Sequence, residues 1–154
     1  MPAVGSSEPT EDPLSSPMFS LEFQGVISGW FSECSGLGSE TEVITQYVTG
    51  DKGMQIIKRI PGNMKYEDIT LKRGVTPSLD IWDWRQQVED GKVGEARKNG
   101  AITMYNQRLE PVAQWTFENA WPVKVSGPQL SAGSNEVALE ELRITHEGMH
   151  RVKI

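Results

Sequence analysis

Apolar positions along much of the chain recur at every second residue. Phe19, Leu21 and Phe23 alternate with Ser20, Glu22 and Gln24, and Ala113, Trp115 and Phe117 alternate with Gln114, Thr116 and Glu118. Successive side chains of a strand point to opposite faces, so each run predicts a strand with one buried and one polar face. Ile69 and Leu71 share a face in a third run, and residues 101–105 and 123–126 predict shorter strands. Gly25 and Gly29 are expected to bracket a turn, after which Trp30 to Ser35 resumes an extended run. Residues 36–53 place Gly36, Gly38, Gly50 and Gly53 around the β-prone run Val43 to Val48, which predicts a strand flanked by a long, adaptable loop.

Residues 135–146 read two ways. Val137 and Leu139 are in phase with each other, as are Leu142 and Ile144, but the two pairs are out of step by one. A helix absorbs that slip, and so does a strand with one bulged residue near Glu140 and Glu141. The strand is preferred, because Gly133, Ser134, Asn135 and Gly148 make turn-like flanks. One helix is predicted over about residues 77–90. Thr76 supplies a cap, Pro77 fits the first helical position and Gly91 supplies the stop. Ile81, Trp84 and Val88 form its apolar stripe, widened by Leu79 and Trp82, while Gln86, Glu89 and Asp90 face solvent or a partner. The pattern as a whole predicts a mainly antiparallel β domain with a single helix covering one side.

Residues 1–17 hold four prolines, four serines and three acids, so they have little to bury and are expected to form a mobile arm ahead of a folded domain over 18–154. At 154 residues the chain is one ordinary domain. It contains no apolar run long enough to cross a membrane as a helix, and no secretory signal is expected from its first residues. A single cysteine, Cys34, makes no internal disulfide and is expected to be a buried or half-buried thiol. The formal net charge of −6 argues against nonspecific nucleic-acid binding, which depends on phosphate neutralisation by Lys and Arg. That charge is uneven. Residues 1–57 carry eight acids and one base, whereas Lys58, Arg59, Lys65, Lys72 and Arg73 cluster soon after. Two solvated faces of unequal sign would account for this, and so would an acidic surface that meets the basic surface of a neighbouring copy.

Catalytic motifs are few. His146-Glu147-Gly148-Met149-His150 has the two-histidine, one-glutamate spacing of zinc hydrolases, whose chemistry needs both imidazoles on one helical face and a third ligand. Gly148 weakens a helix there, the four residues after His150 offer no ligand, and no other histidine exists. Gly36-Leu37-Gly38 begins like a dinucleotide loop but has Thr41 in place of the third glycine and no helical pattern after it. Of the five tryptophans, Trp82, Trp84 and Trp115 fit core positions, and Trp30 and Trp121 are free to anchor an interface. No catalytic or cofactor-binding constellation remains.

Several strings, taken in order, carry a family resemblance. They are Phe31-Ser32-Glu33-Cys34-Ser35-Gly36-Leu37, Ile60-Pro61-Gly62, Lys65-Tyr66, Ile69-Thr70-Leu71-Lys72-Arg73-Gly74, Trp82-Asp83-Trp84, Asn119-Ala120-Trp121-Pro122, Ser126-Gly127-Pro128, Asn135-Glu136-Val137-Ala138 and His146-Glu147-Gly148. Over about residues 18–150 the chain resembles the inner tube proteins of contractile phage tails and of phage-derived contractile injection systems. The resemblance implies a β-barrel or sandwich with one flanking helix, assembled as hexameric rings that stack into a hollow tube. It further implies a contractile sheath around the tube, baseplate and spike hub proteins at one end, a terminator cap at the other, and a toxin or DNA cargo in the lumen. It implies assembly in the bacterial cytoplasm into a phage tail or tail-like particle, with no catalytic, metal or cofactor residues and no specific nucleic-acid binding. The family's stacking loop maps onto residues 36–62. With the basic cluster, it nominates Leu37, Glu40, Glu42, Asp51, Lys58, Arg59, Lys72 and Arg73 as inter-subunit residues. The family's sheath-facing helix nominates Gln86, Glu89 and Asp90. Alternatives are a tube-initiator paralogue at the baseplate, a zinc hydrolase using His146, Glu147 and His150, and a binding module.

Overall fold

The computed structural model describes residues 18–24, 26–128 and 138–154, so the expected arm over 1–17, Gly25, Gly133 to Asn135 and Val137 lie outside the described residues. The alternating runs become antiparallel strands: β1 (Met18–Phe23), β2 (Val26–Phe31), β3 (Glu33–Ser35), β4 (Ser39–Thr49), β5 (Gln55–Tyr66) and β6 (Ile69–Gly74). Helices α1 (Asp80–Glu89) and α2 (Val93–Ala96) follow, then β7 (Lys98–Tyr105), β8 (Pro111–Ser126), β9 (Leu139–Thr145) and β10 (Gly148–Val152). The main sheet runs β2-β1-β7-β8-β9-β6-β3, with β10 paired to β8, while among the described residues β4 and β5 pair only with each other. Its terminal strands β2 and β3 are separated in the chain by Ser32 alone, whose N–H donates to the Lys72 carbonyl at 2.9 Å. The sheet therefore wraps around its core like a barrel, and among the described residues no ladder joins β2 to β3.

Leu21, Phe31, Ile69, Leu71, Ile102, Phe117, Leu142 and Ile144 fill the interior, each at most 1% exposed. Helix α1 closes one side by burying Ile81 and Trp84. The Trp84 indole N–H donates to the Ala96 carbonyl at 2.7 Å, which ties α1 to α2, and Phe23 meets the Trp84 ring edge-on at 4.9 Å. Arg85 donates to the Pro122 carbonyl at 3.0 Å and anchors the helix to β8.

The structure departs from the sequence-based expectations in several places. Gly29 lies inside β2, not in a turn, and a Cβ there would come within 3.1 Å of Arg73 Nη1 and 3.3 Å of Asp80 Oδ2. The helix starts at Asp80 without a side-chain cap from Thr76, and the one-turn helix α2 joins it. Residues 123–126 are the end of the long strand β8. Strand β9 pairs with β6 without a bulge: the buried carboxylate Glu140 takes the inward position in phase with Leu142 and Ile144, and Leu139 falls in the other phase.

Glu140 belongs to a buried ionic cluster. Arg73, 5% exposed, reaches Asp80 at 2.8 Å and Glu140 at 3.2 Å, and its guanidinium lies 5.3 Å from the Phe31 ring centroid. The Trp82 indole N–H donates to the other Glu140 oxygen at 3.2 Å. Burial alone would raise the Asp80 pKa, but the Arg73 hydrogen bond and the Ile81 N–H outweigh it and hold the carboxyl below its ordinary range. The cluster ties β6, α1 and β9 together. Glu140→Ala leaves Arg73 with one partner and the Trp82 N–H with none, so it should cost about 3 kcal/mol in chemical denaturation. Glu89→Ala, on the exposed face of α1, should cost less than about 0.5 kcal/mol.

Candidate functional site: a projecting hairpin and a polar sheet face

Residues 36–53, read from sequence as a strand flanked by a long loop, contain that strand as β4, and the stacking-loop segment 36–62 that the resemblance implies makes up most of the β4–β5 hairpin. Its root is set by Gly36, at φ +84°, where a Cβ would collide with the Asp68 carbonyl. The Glu67 N–H donates to the Gly38 carbonyl at 3.3 Å across the root, and the tip turns through Gly50, whose N–H donates to Met54 O at 2.7 Å. Between root and tip all of residues 39–47 and 51–61 are exposed.

The pairing register decides what each face offers. One face stacks Ile44 beside Ile60, Gln46 beside Lys58 and Val48 beside Ile56; the other stacks Val43 beside Pro61, Thr45 beside Arg59 and Tyr47 beside Ile57. Both faces thus carry apolar pairs around one central base. Tyr47 is 64% exposed, Ile57 58% and Ile56 47%, large apolar areas that this subunit leaves in water. A lone two-stranded ribbon is marginally stable in water, and apolar surface on both faces calls for a cover on each.

Among the nominated residues, Glu40 and Glu42 lie exposed on β4, Asp51 at the tip, and Lys58 and Arg59 on β5. The acidic and basic halves of the chain therefore meet across this one ribbon, with Glu40 registered opposite Lys65. In the isolated subunit Leu37 is partly buried against the core, and Arg73 is buried in the ionic cluster, where its charge is already matched. Lys72 is half-buried, 3.9 Å from Glu33. On α1, Gln86 donates to Asp90 at 2.9 Å, Glu89 lies 3.6 Å from Arg85, and all three nominated residues are exposed. Sequence reading missed Ile44, Tyr47, Ile57 and Ile60. Their signal was the apolar doublets Val43-Ile44, Tyr47-Val48 and Ile56-Ile57, which occupy both phases of a strand.

The zinc motif does not assemble. Residues 146–150 form a turn and the start of β10, so no helical face unites the imidazoles. His146 is buried against Tyr66, with ring centroids 5.3 Å apart, while His150 is exposed opposite Thr116. Burial pushes the His146 pKa down; the nearby backbone of Glu67 and Gly148 and the Asp68 carboxylate offset this only in part. Among the described residues no group of three potential ligands could hold a metal ion. Cys34 is half-buried and desolvation pushes its thiol up to about 12, far from nucleophilic.

A second surface is the face of β1, β2, β7, β8 and β10 turned away from the core. Register places Ser20, Trp30 and Thr103 together on it, with Tyr105 and Gln114 beside them. The Ser20, Thr103 and Tyr105 hydroxyls all donate to Glu22 Oε1, at 3.2, 3.4 and 3.4 Å. Trp30 stands 39% exposed beside Tyr105, ring centroids 5.0 Å apart. Within the β1–β7–β8–β10 ladders the described positions of this face hold no Lys or Arg; the exposed Lys124 lies further along β8, opposite Arg143 of β9.

A family model described as T4-like virus tail tube protein gp19 matches residues 15–150. The chain is similar to one in the structure of the anti-feeding prophage baseplate, 6-fold symmetrised: TM-score 0.69, 22% identity, covering 93% of this chain and 96% of that one. It is similar to one in the sheath-tube complex of an extracellular contractile injection system, PVC, in the extended state: TM-score 0.69, 23% identity, 94% and 95% covered. A more distant likeness is Hcp1 from Flavobacterium johnsoniae, with TM-score 0.52, 15% identity and 87% and 94% covered. No curated protein matches the sequence.

The double substitution Tyr47→Ala, Ile57→Ala removes apolar surface that the free subunit leaves exposed. It should change subunit stability by less than about 0.5 kcal/mol in denaturation, while sedimentation shows self-association lost.

Proposed function

The chain belongs to the T4-like virus tail tube protein family, and from that premise we propose that it acts structurally, as one subunit of stacked hexameric rings that form a hollow inner tube. The observation that carries this reading is the β4–β5 hairpin with apolar side chains exposed on both faces. A ribbon of that kind fits between two neighbouring copies, one against each face. Its alternation of apolar and charged pairs gives each contact an apolar interior and an ionic register, with Glu40, Glu42, Asp51, Lys58 and Arg59 as the charged set. Lys72 stays a candidate at the body's edge. The head-to-tail contact grows rings into tubes, since a surface that meets a different surface on the next copy does not close after two subunits.

The exposed face of α1, with Gln86, Glu89 and Asp90, is the outer surface in this reading and meets a contractile sheath protein. Relatives of this fold come from a baseplate, a sheath-tube complex and a tube-terminating cap. Those sources support a phage tail-like particle with a baseplate at one end and a cap at the other; in this reading it is assembled in the bacterial cytoplasm and carries spike proteins at the baseplate. The polar sheet face around Glu22 fits the bore. A bore wall must stay wetted, and hydroxyls, amides and carboxylates on a rigid sheet keep it so.

Electron microscopy of the purified protein tests the proposal. Six-membered rings and stacked tubes are expected, alone or on mixing with sheath and baseplate proteins; a monodisperse monomer under all these conditions would contradict it.

A further inference from the structure

Three aromatic rings of the described structure already carry a cation of the same chain. Arg73 lies 5.3 Å from the Phe31 ring, Lys98 5.4 Å from Phe23 and Arg151 5.7 Å from Trp115. The Trp30–Tyr105 pair is different: it is the aromatic cluster of the polar sheet face, it is open to solvent, and none of these three cations reaches it. Beside it sits a carboxylate whose orientation is fixed. Three hydroxyls converge on Glu22 Oε1, and Gln114 holds one of the donors in place by donating to Thr103 Oγ1 at 3.1 Å. Ser20 and Thr103 are buried under the larger side chains, at 0% and 3% exposure, so this polar scaffold is part of the packed sheet and not a mobile surface cluster.

An oriented carboxylate next to a tilted aromatic pair is the chemistry that receives an ammonium or guanidinium group. The carboxylate accepts its N–H donors and the ring faces attract its charge. We propose that Glu22, Trp30 and Tyr105 form a binding site for Lys- or Arg-bearing segments of a polypeptide cargo. The proposal rests on the reading of this face as the bore wall. Repeated around a six-membered ring, the site is weak singly and strong collectively, so a cationic segment is held in the tube yet each contact releases readily. Glu118, exposed on the same face, adds to the negative potential that favours a cationic chain and disfavours nucleic acid.

The experiment measures fluorescence anisotropy of three labelled probes with assembled rings: a Lys/Arg-rich peptide, an acidic peptide of equal length, and single-stranded DNA. The basic peptide should bind, and more weakly as salt rises. Glu22→Gln keeps an acceptor for the hydroxyls and should weaken binding about tenfold, and Trp30→Ala about threefold, with ring formation in microscopy unchanged. Binding of the basic peptide that is absent or indifferent to both substitutions overturns the proposal, as does tighter binding of DNA. Loss of rings in Glu22→Gln also overturns it, by assigning that carboxylate to assembly. If the wild-type protein forms no rings, the bore reading fails by itself. The same titration on the free subunit, where the face is open, then upholds the cation site if the two substitutions weaken binding and overturns it if they do not.

Discussion

A two-stranded ribbon has two faces and no interior. Whatever apolar side chains it carries must be covered from outside, and the β4–β5 hairpin carries them on both faces while, among the described residues, its ladder joins no other strand. The subunit is therefore incomplete in a specific sense. Its body satisfies its own core, and its hairpin does not. In the proposed tube, association of copies removes that surface from water, each copy both lending a ribbon and covering one. Charge follows the same geometry, since the acid-rich strand β4 and the base-rich strand β5 lie side by side; in the proposed contact they set its ionic register.

In the proposed tube the body's task is to hold that ribbon rigidly enough for a long polymer. The Arg73 cluster joins the strand that follows the hairpin to α1 and to β9, and Gly29 leaves the space the guanidinium occupies. At the hairpin root, Gly36 lets the chain pass against the Asp68 carbonyl, and Tyr66 rests on the buried His146 ring. These contacts fix the direction in which β4 and β5 leave the sheet. On the polar face, proposed above as the bore wall, Glu22 and its hydroxyl donors are already hydrogen-bonded to one another and so have little tendency to rearrange.

Much of the body was legible in sequence, because period-two alternation at Phe19-Leu21-Phe23 and Ala113-Trp115-Phe117 reports one buried face directly. The apolar stripe of α1 was legible for the same reason at helical spacing. Glu140 was not, since a charged residue in an inward position looks like a phase slip until its partner Arg73, far away in sequence, is known. Arg73 itself was misplaced on the surface by the general rule that charges are exposed. Of the hairpin only the run Val43 to Val48 was read as a strand, with its flanks as loop, because one-face alternation is the usual strand signature and a ribbon with apolar side chains on both faces lacks it. The doublets Val43-Ile44 and Ile56-Ile57 carry that information only when the assembly is considered. The helical zinc motif ending at His150 shows the converse: matching residue spacing has no chemical meaning when the backbone there is a turn and a strand.

The central claim is that the hairpin is completed by other copies of the chain. Amide hydrogen exchange, compared between isolated subunits and the assembled state, tests it most directly. The account predicts fast exchange along β4 and β5 in the isolated subunit and strong protection on assembly, with the core strands β6 and β8 protected in both. Protection of β4 and β5 that is already complete in the isolated subunit, or unchanged on assembly, would contradict it.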